Sequence, residues 1–135
     1  MNPKMSTLTR THTGQLFERK AEQLLIKNGL VLVSRNYHCR YGEIDLIMTD
    51  ADTLVFVEVR YRKNEHFGSA SASVTPAKQK KIILTAQHYL QQHRWTDKYN
   101  CRFDVVGINP SPLLKSLTPK EPYALEWIKD AFSLI

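Results

Sequence analysis

The sequence predicts an α/β domain, a sheet flanked by helices, with its elements in the order α-β-β-β-α-β and a covering tail. Apolar residues recur at helical spacing in two segments, one starting near Gly14 and one after Thr75-Pro76. Between and beyond them lie runs rich in Val, Ile and Leu, the signature of strands. The polar tetrapeptide Asp50-Ala51-Asp52-Thr53 joins two of these runs and predicts an antiparallel hairpin. A chain of 135 residues suits one domain with a single core. That domain is expected over 14–135, behind a polar, aperiodic arm at 1–13 that reads as flexible.

The first helix is expected over about Gly14–Asn28, with Phe17, Ala21, Leu24, Leu25 and Ile26 as its apolar stripe. Thr13 would cap it and Gly29 would stop it. Leu30–Asn36 follows as an edge or first strand. Glu43–Thr49 is the next strand, with Ile44, Leu46 and Met48 on one face. Leu54–Arg62 is the third, with Val55, Val57, Val59 and Tyr61 sharing a face. The small-residue stretch Gly68–Ser73 reads as a mobile strand-gripping loop or a plain linker. In the second helix Thr75 is the cap and Pro76 takes the first helical position. Its buried stripe is Ile82, Ile83, Ala86, Tyr89 and Leu90, and it should end near Arg94. Arg102–Ile108 reads as a fourth strand, broken by Asn109-Pro110-Ser111-Pro112. The tail Tyr123–Phe132 is apolar enough to pack, as a short strand or a helical turn.

A net charge of +6 favours an anionic partner, and nucleic acid is the commonest. No basic helix carries an opposing Trp, Phe and Leu face, which argues against a membrane surface. No stretch approaches the roughly 18 apolar residues of a membrane span, and the N-terminus has no apolar secretory core, so a cytoplasmic location is expected. Cys39 and Cys101 read as reduced, partly buried thiols, although the sequence does not prevent their meeting. The histidines lack metal spacing, no phosphate-binding Gly-Lys loop occurs, and Ser69, Ser71 and Ser73 are not in a nucleophile-elbow setting. Oligomeric state is left open, a homodimer included.

The informative segment is Gly42-Glu43-Ile44-Asp45-Leu46-Ile47 followed by Val55-Phe56-Val57-Glu58-Val59-Arg60. Glu58 and Arg60 share a strand face with Phe56 and Leu54, so Glu58 sits at the edge of a core, where a carboxylate needs a partner. A two-residue turn at Ala51-Asp52 pairs Asp50 with Thr53, and a four-residue loop of Asp50–Thr53 pairs Thr49 with Leu54; both set Asp45 directly opposite Glu58, with Cβ atoms about 5 Å apart. Two like charges so placed repel, and one tends to take up a proton. A divalent cation removes the conflict, since magnesium takes hard oxygen ligands. Taken singly, Asp45 could be an exposed strand residue and Glu58 an ion-pair partner of Arg60 or Arg62. Glu18 is next to the apolar stripe of the first helix and can lean over the sheet, with Gly14 leaving room beside it. Glu43 ranks below it as an outer ligand. Lys78, Gln79, Lys80 and Lys81 open the second helix, where backbone N–H groups and lysines suit phosphate.

These motifs resemble the YraN-like family of uncharacterised bacterial proteins. The resemblance rests on Gly14-x-x-x-Glu18-x-x-Ala21, the two acidic strands, Val57-Glu58-Val59-Arg60-Tyr61-Arg62, Lys78-Gln79 and Arg102-Phe103-Asp104-Val105-Val106. It spans about residues 14–132. The family is regarded as endonuclease-like, similar to the PD-(D/E)XK superfamily that includes restriction enzymes and archaeal Holliday-junction resolvases. The resemblance implies a restriction-endonuclease-like core with a mixed sheet. By position Asp45 is the motif's aspartate, Glu58 its second acid and Glu18 the helix-borne acid. Two departures stand out. Ile44 replaces the proline of the motif, and Arg60 replaces its lysine. Arginine stays protonated and cannot be a general base, though it can stabilise phosphate charge. Lys78 is the first candidate to replace the missing lysine in space.

The expectation is a Mg2+- or Mn2+-dependent nuclease acting on DNA, branched or repair intermediates included. Asp45, Glu58 and Glu18 would hold the metal with help from the Val59 carbonyl. Arg60, Arg62, Lys78, Gln79, Lys80 and Lys81 would contact nucleic acid. The alternatives are a binding module that kept the scaffold without turnover, which Arg60 favours, and a protein–protein adaptor.

Overall fold

The sheet is organised by one hairpin. Asp50 pairs with Thr53, and the ladder runs through Thr49↔Leu54, Met48↔Val55 and Ile47↔Phe56 to Leu46↔Val57. This is the register predicted from the turn. The computed structural model describes residues 3–62 and 70–133. Its elements are α1 (Pro3–Lys27), β1 (Val31–Cys39), β2 (Gly42–Asp50), β3 (Thr53–Tyr61), α2 (Pro76–Gln92), β4 (Asn100–Pro110), α3 (Pro112–Leu117) and β5 (Tyr123–Phe132). A single 3₁₀ turn, Ser71–Ser73, precedes α2. The five strands form one sheet in the order β1-β2-β3-β4-β5. All neighbours are antiparallel except β3 and β4, which run parallel because α2 carries the chain back between them. The result is a five-stranded mixed sheet with helices on both faces.

Each face has its own core. Ala21 and Leu25 of α1 pack on Leu46, Met48, Val55, Val57 and Val106. Ile82, Ala86 and Tyr89 of α2 pack on Ile47, Leu54, Phe56, Phe103 and Val105. Ile44 belongs to the α2-side cluster, not to the face of Leu46 and Met48 that strict alternation predicted. The alternation fails beyond the last β2–β3 pair, Leu46↔Val57, beside Asn36 of β1, whose φ is 53°.

α1 departs from expectation at its start. It begins at Pro3, so residues 3–13 are helical and Thr13 lies inside the helix instead of capping it. Proline is favoured at the first helical position, and no glycine or proline interrupts the chain from there to Gly14, so the missing apolar period did not stop the helix. Met1 and Asn2 of the expected arm lie outside the described residues, as do Gly68 and Ser69 of the small-residue stretch. Ile26 is 47% exposed, off the stripe. Gly29 ends the helix as expected: with φ 95° it lets the Leu30 N–H reach the Leu25 carbonyl and its own N–H reach Ile26. At α2, Thr75 accepts from the Lys78 N–H and Pro76 opens the first turn, while the helix ends at Gln92, slightly before the predicted Arg94.

β4 continues through Asn109 to Pro110, beyond its last pair with β3 at Ile108, by pairing with β5, where Pro110 lies opposite Tyr123. The tail Tyr123–Phe132 is that strand. α3 was not anticipated, yet Ser111-Pro112 repeats the Thr75-Pro76 signature, with the Ser111 hydroxyl accepting from the Leu114 N–H. Both cysteines are free thiols; Cys39 is partly buried as expected, while Cys101, near the open start of β4, is exposed.

Candidate functional site

The β2–β3 ladder stops one pair short of Asp45 and Glu58. In place of a backbone bond there, the Val59 N–H donates to Asp45 Oδ2 at 2.7 Å. The strands therefore part at the point where the two acids face each other. Both are buried, Asp45 at 6% and Glu58 at 4% exposure. Their carboxyls face each other, and two like charges so close oppose one another's ionisation. Burial first, and then the charge and hydrogen bond of Asp45, push the Glu58 carboxyl up to about 8, against the opposing pull of Lys78 and Arg60.

The cations around Glu58 are held less closely than a good ion pair would hold them. Arg60 Nη1 lies 3.3 Å and Lys78 Nζ 3.7 Å from Glu58 Oε2. Arg60 is fixed from behind, its Nε donating to Ser73 Oγ at 2.9 Å. Ser73 in turn donates to the Ala70 carbonyl, so the 3₁₀ turn before α2 sets the guanidinium's position. Sequence reasoning did not give Ser73 this role, because no strand or helix period marks such an anchor.

The pair opens into a cleft of about 220 Å³, whose lining includes Glu18, Glu43, Asp45, Glu58, Arg60 and Lys78. α1 delivers Glu18. Phe17 stacks on Tyr61 with centroids 4.2 Å apart and meets Tyr123 edge-on at 5.3 Å. These contacts tie α1 to the ends of β3 and β5, and Gly14 and Phe17 form part of the same wall. Thus Glu18, Asp45, Glu58, Arg60 and Lys78 come together, with Glu43 at the edge and the Val59 backbone beneath.

The other predicted contacts are placed differently. Gln79 turns its amide to the Val74 carbonyl at 3.1 Å, bracing the loop before α2. Lys80 and Arg62 do not line the cleft, and Arg62 gives its backbone N–H to the Ile108 carbonyl. Lys81 reaches a neighbouring hollow instead.

Asp45 and Glu58 are the residues that could hold a hard cation: magnesium keeps several waters and commonly takes one or two protein carboxylates. Among the described residues no three His, Cys, Asp or Glu side chains group closely enough to hold a metal ion, so the predicted three-acid set is not formed: Glu18 lines the cleft but stands apart from the Asp45–Glu58 pair.

Fold and cleft together define an α/β protein with the nuclease-like α-β-β-β-α-β order and an acidic pair at the parting of two central strands. A family model described as "Uncharacterised protein family UPF0102" matches residues 17–108. The chain is 47% identical over 128 residues to a UPF0102 protein of Nitrosococcus oceani, covering 95% of this chain and 97% of that one. It is 50% identical over 119 residues to a UPF0102 protein of Psychromonas ingrahamii, 88% of each chain. The chain belongs to the UPF0102 family, the YraN-like group that its motifs resemble. The matched span contains the whole acidic cleft apart from Gly14, and stops before α3 and β5. No helix of the described residues is long and apolar enough to cross a membrane.

Proposed function

We propose that the protein is a divalent-metal-dependent nuclease of the phosphodiester-hydrolase type, acting on DNA. The observation that carries this is the buried Asp45–Glu58 pair, open to a cleft with Lys78 and Arg60 on its wall. A bound Mg2+ or Mn2+ would supply Lewis acidity, lowering the pKa of a water and offsetting charge at the scissile phosphate. Asp45 and Glu58 would hold it, with Glu18 as an outer acid. Arg60, anchored by Ser73, would present fixed N–H donors to a phosphate oxygen. Lys78 brings an amine to Glu58 from α2, which supports its standing in for the lysine that β3 lacks.

The test is a magnesium and manganese titration on linear, flapped and four-way DNA, with Asp45→Ala as control. Metal-dependent cleavage lost in Asp45→Ala is expected. Lys78→Gln should lose turnover while keeping metal binding. A second reading, a binding module on the same scaffold, draws support from Arg60 at the lysine position. It predicts DNA binding without cleavage for wild type and restored cleavage in Arg60→Lys. Absence of cleavage in both proteins with either metal would contradict the nuclease reading.

A further inference from the structure

Beyond Glu43 and Lys78, which line both spaces, the cleft adjoins a second hollow of about 380 Å³. Arg40 and Tyr41 enter it from the β1–β2 turn, Lys78 and Lys81 from the start of α2. The two elements lie close because of Gly42. Its φ is 151°, and a Cβ there would stand 3.3 Å from Thr85 Oγ1 and 3.8 Å from Lys81 Cβ. A side chain there would strain the backbone and require Thr85 to give way by a few tenths of an ångström, so the turn is packed closely on α2.

The hollow's cations outnumber its acids, with Arg40, Lys78 and Lys81 set against Glu43. Among the described residues neither Arg40 nor Lys81 forms an ion pair. Arg40 is held by a neutral group, its Nη2 donating to the Tyr41 hydroxyl at 2.7 Å with the guanidinium carbon 4.9 Å from that ring's centroid. A guanidinium has five N–H donors and this contact uses one. Like charges gathered from two elements repel, and an anion between them removes the cost.

We propose that this hollow is the subsite for the phosphate neighbouring the scissile one on a single nucleic-acid strand, with Arg40 and Lys81 as its cations and the Tyr41 ring as a stacking surface for an unpaired base. The proposal rests on reading the adjoining cleft as a phosphodiester site. A strand leaving the cleft past Lys78 enters the hollow directly, because that side chain lines both. The substrate class is thereby narrowed to DNA with unpaired bases at the cleft, since an aromatic ring stacks on any exposed base and cannot reach one inside a duplex.

The experiment is fluorescence anisotropy of a short labelled single strand and its duplex, across salt, for wild type, Arg40→Gln/Lys81→Gln, Tyr41→Ala and Lys78→Gln. The double variant should weaken single-strand binding and lower the slope of log affinity against log salt by about 1.4, roughly 0.7 for each cation removed. Tyr41→Ala should weaken the single strand about tenfold and the duplex much less. If Lys78→Gln weakens binding while the double variant keeps both wild-type affinity and slope, the subsite is wrong and the cleft reading survives. Equal losses on duplex and single strand in Tyr41→Ala overturn the single-strand assignment. A wild type that binds no strand even at low salt overturns the cleft reading itself. Unfolding curves for the variants separate these outcomes from misfolding.

Discussion

Asp104 and Glu58 are acids sunk into neighbouring strands of one sheet, at 0% and 4% exposure, and their surroundings differ in kind. Asp104 meets only donors. Arg102 gives it Nε at 3.0 Å and Nη2 at 3.2 Å, Trp127 its Nε1 at 3.0 Å, and Asp130 its backbone N–H at 2.9 Å. These bonds pin the irregular stretch of β5, where Asp130 has a φ of 52° and the β4–β5 register shifts. Glu58 meets another carboxyl and two cations at 3.3 and 3.7 Å. The contrast separates an acid that builds the fold from one the fold leaves unbalanced. A satisfied buried acid closes a joint. A pair short of positive charge at an open cleft is where a ligand's charge has most to offset.

The comparison is broken most sharply by pH. The Glu58 carboxyl is raised from 4.5 to about 8 in the folded chain. Between these values the folded state holds a proton that the unfolded chain has released, so stability falls as pH rises. The loss should be complete above pH 8 and amount to at most about 5 kcal/mol, since each tenfold difference in proton affinity between the two states is worth about 1.4 kcal/mol. Glu58→Gln cannot ionise and should lack this slope. Urea unfolding of both proteins from about pH 4.5 to about pH 9 measures it, and parallel curves would mean that Glu58 is ionised in the folded chain.

Asp104→Ala should behave in the opposite way, as a structural lesion. It leaves the Trp127 and Asp130 N–H groups without an acceptor and removes one acid from Arg102, which keeps Asp50 at 2.9 Å. A destabilisation of about 3–5 kcal/mol is expected, with no loss of manganese affinity under conditions where the variant is folded. Denaturant melts and calorimetry check the two halves separately.

Asp45→Asn should have the smallest effect on stability. It keeps an oxygen to accept from Val59 N–H, and Glu58, already neutral below about pH 8, loses only part of its upward shift, so a change within about 1 kcal/mol is expected. A loss as large as that of Asp104→Ala would place Asp45 among the structural acids.

The sequence carried the hairpin register, and with it the meeting of Asp45 and Glu58, because a short turn and period-two alternation fix strand pairing. Lys78 was also legible as a helix-start lysine, though its distance from Glu58 depends on how α2 crosses the sheet. The helical start of α1 was not legible, since its polar residues have no apolar period. Nor was the reversal at Ile44, which lies beyond the last β2–β3 pair and beside the left-handed Asn36 of the neighbouring strand, features that alternation does not encode. Asp104 stood in a family motif, but its partners Trp127 and Asp130 are 23 and 26 residues away, and only the pairing of β4 with β5 brings them together.

The most direct measurement is a manganese titration by calorimetry at pH 7 in buffers of different ionisation enthalpy. A cation at the Asp45–Glu58 pair must displace the proton that Glu58 holds at that pH. Saturable binding is predicted for wild type, with about one proton released per ion, and neither should remain in Asp45→Asn. Binding that persists unchanged in Asp45→Asn, or that releases no proton, would contradict the assignment of this pair as the metal site.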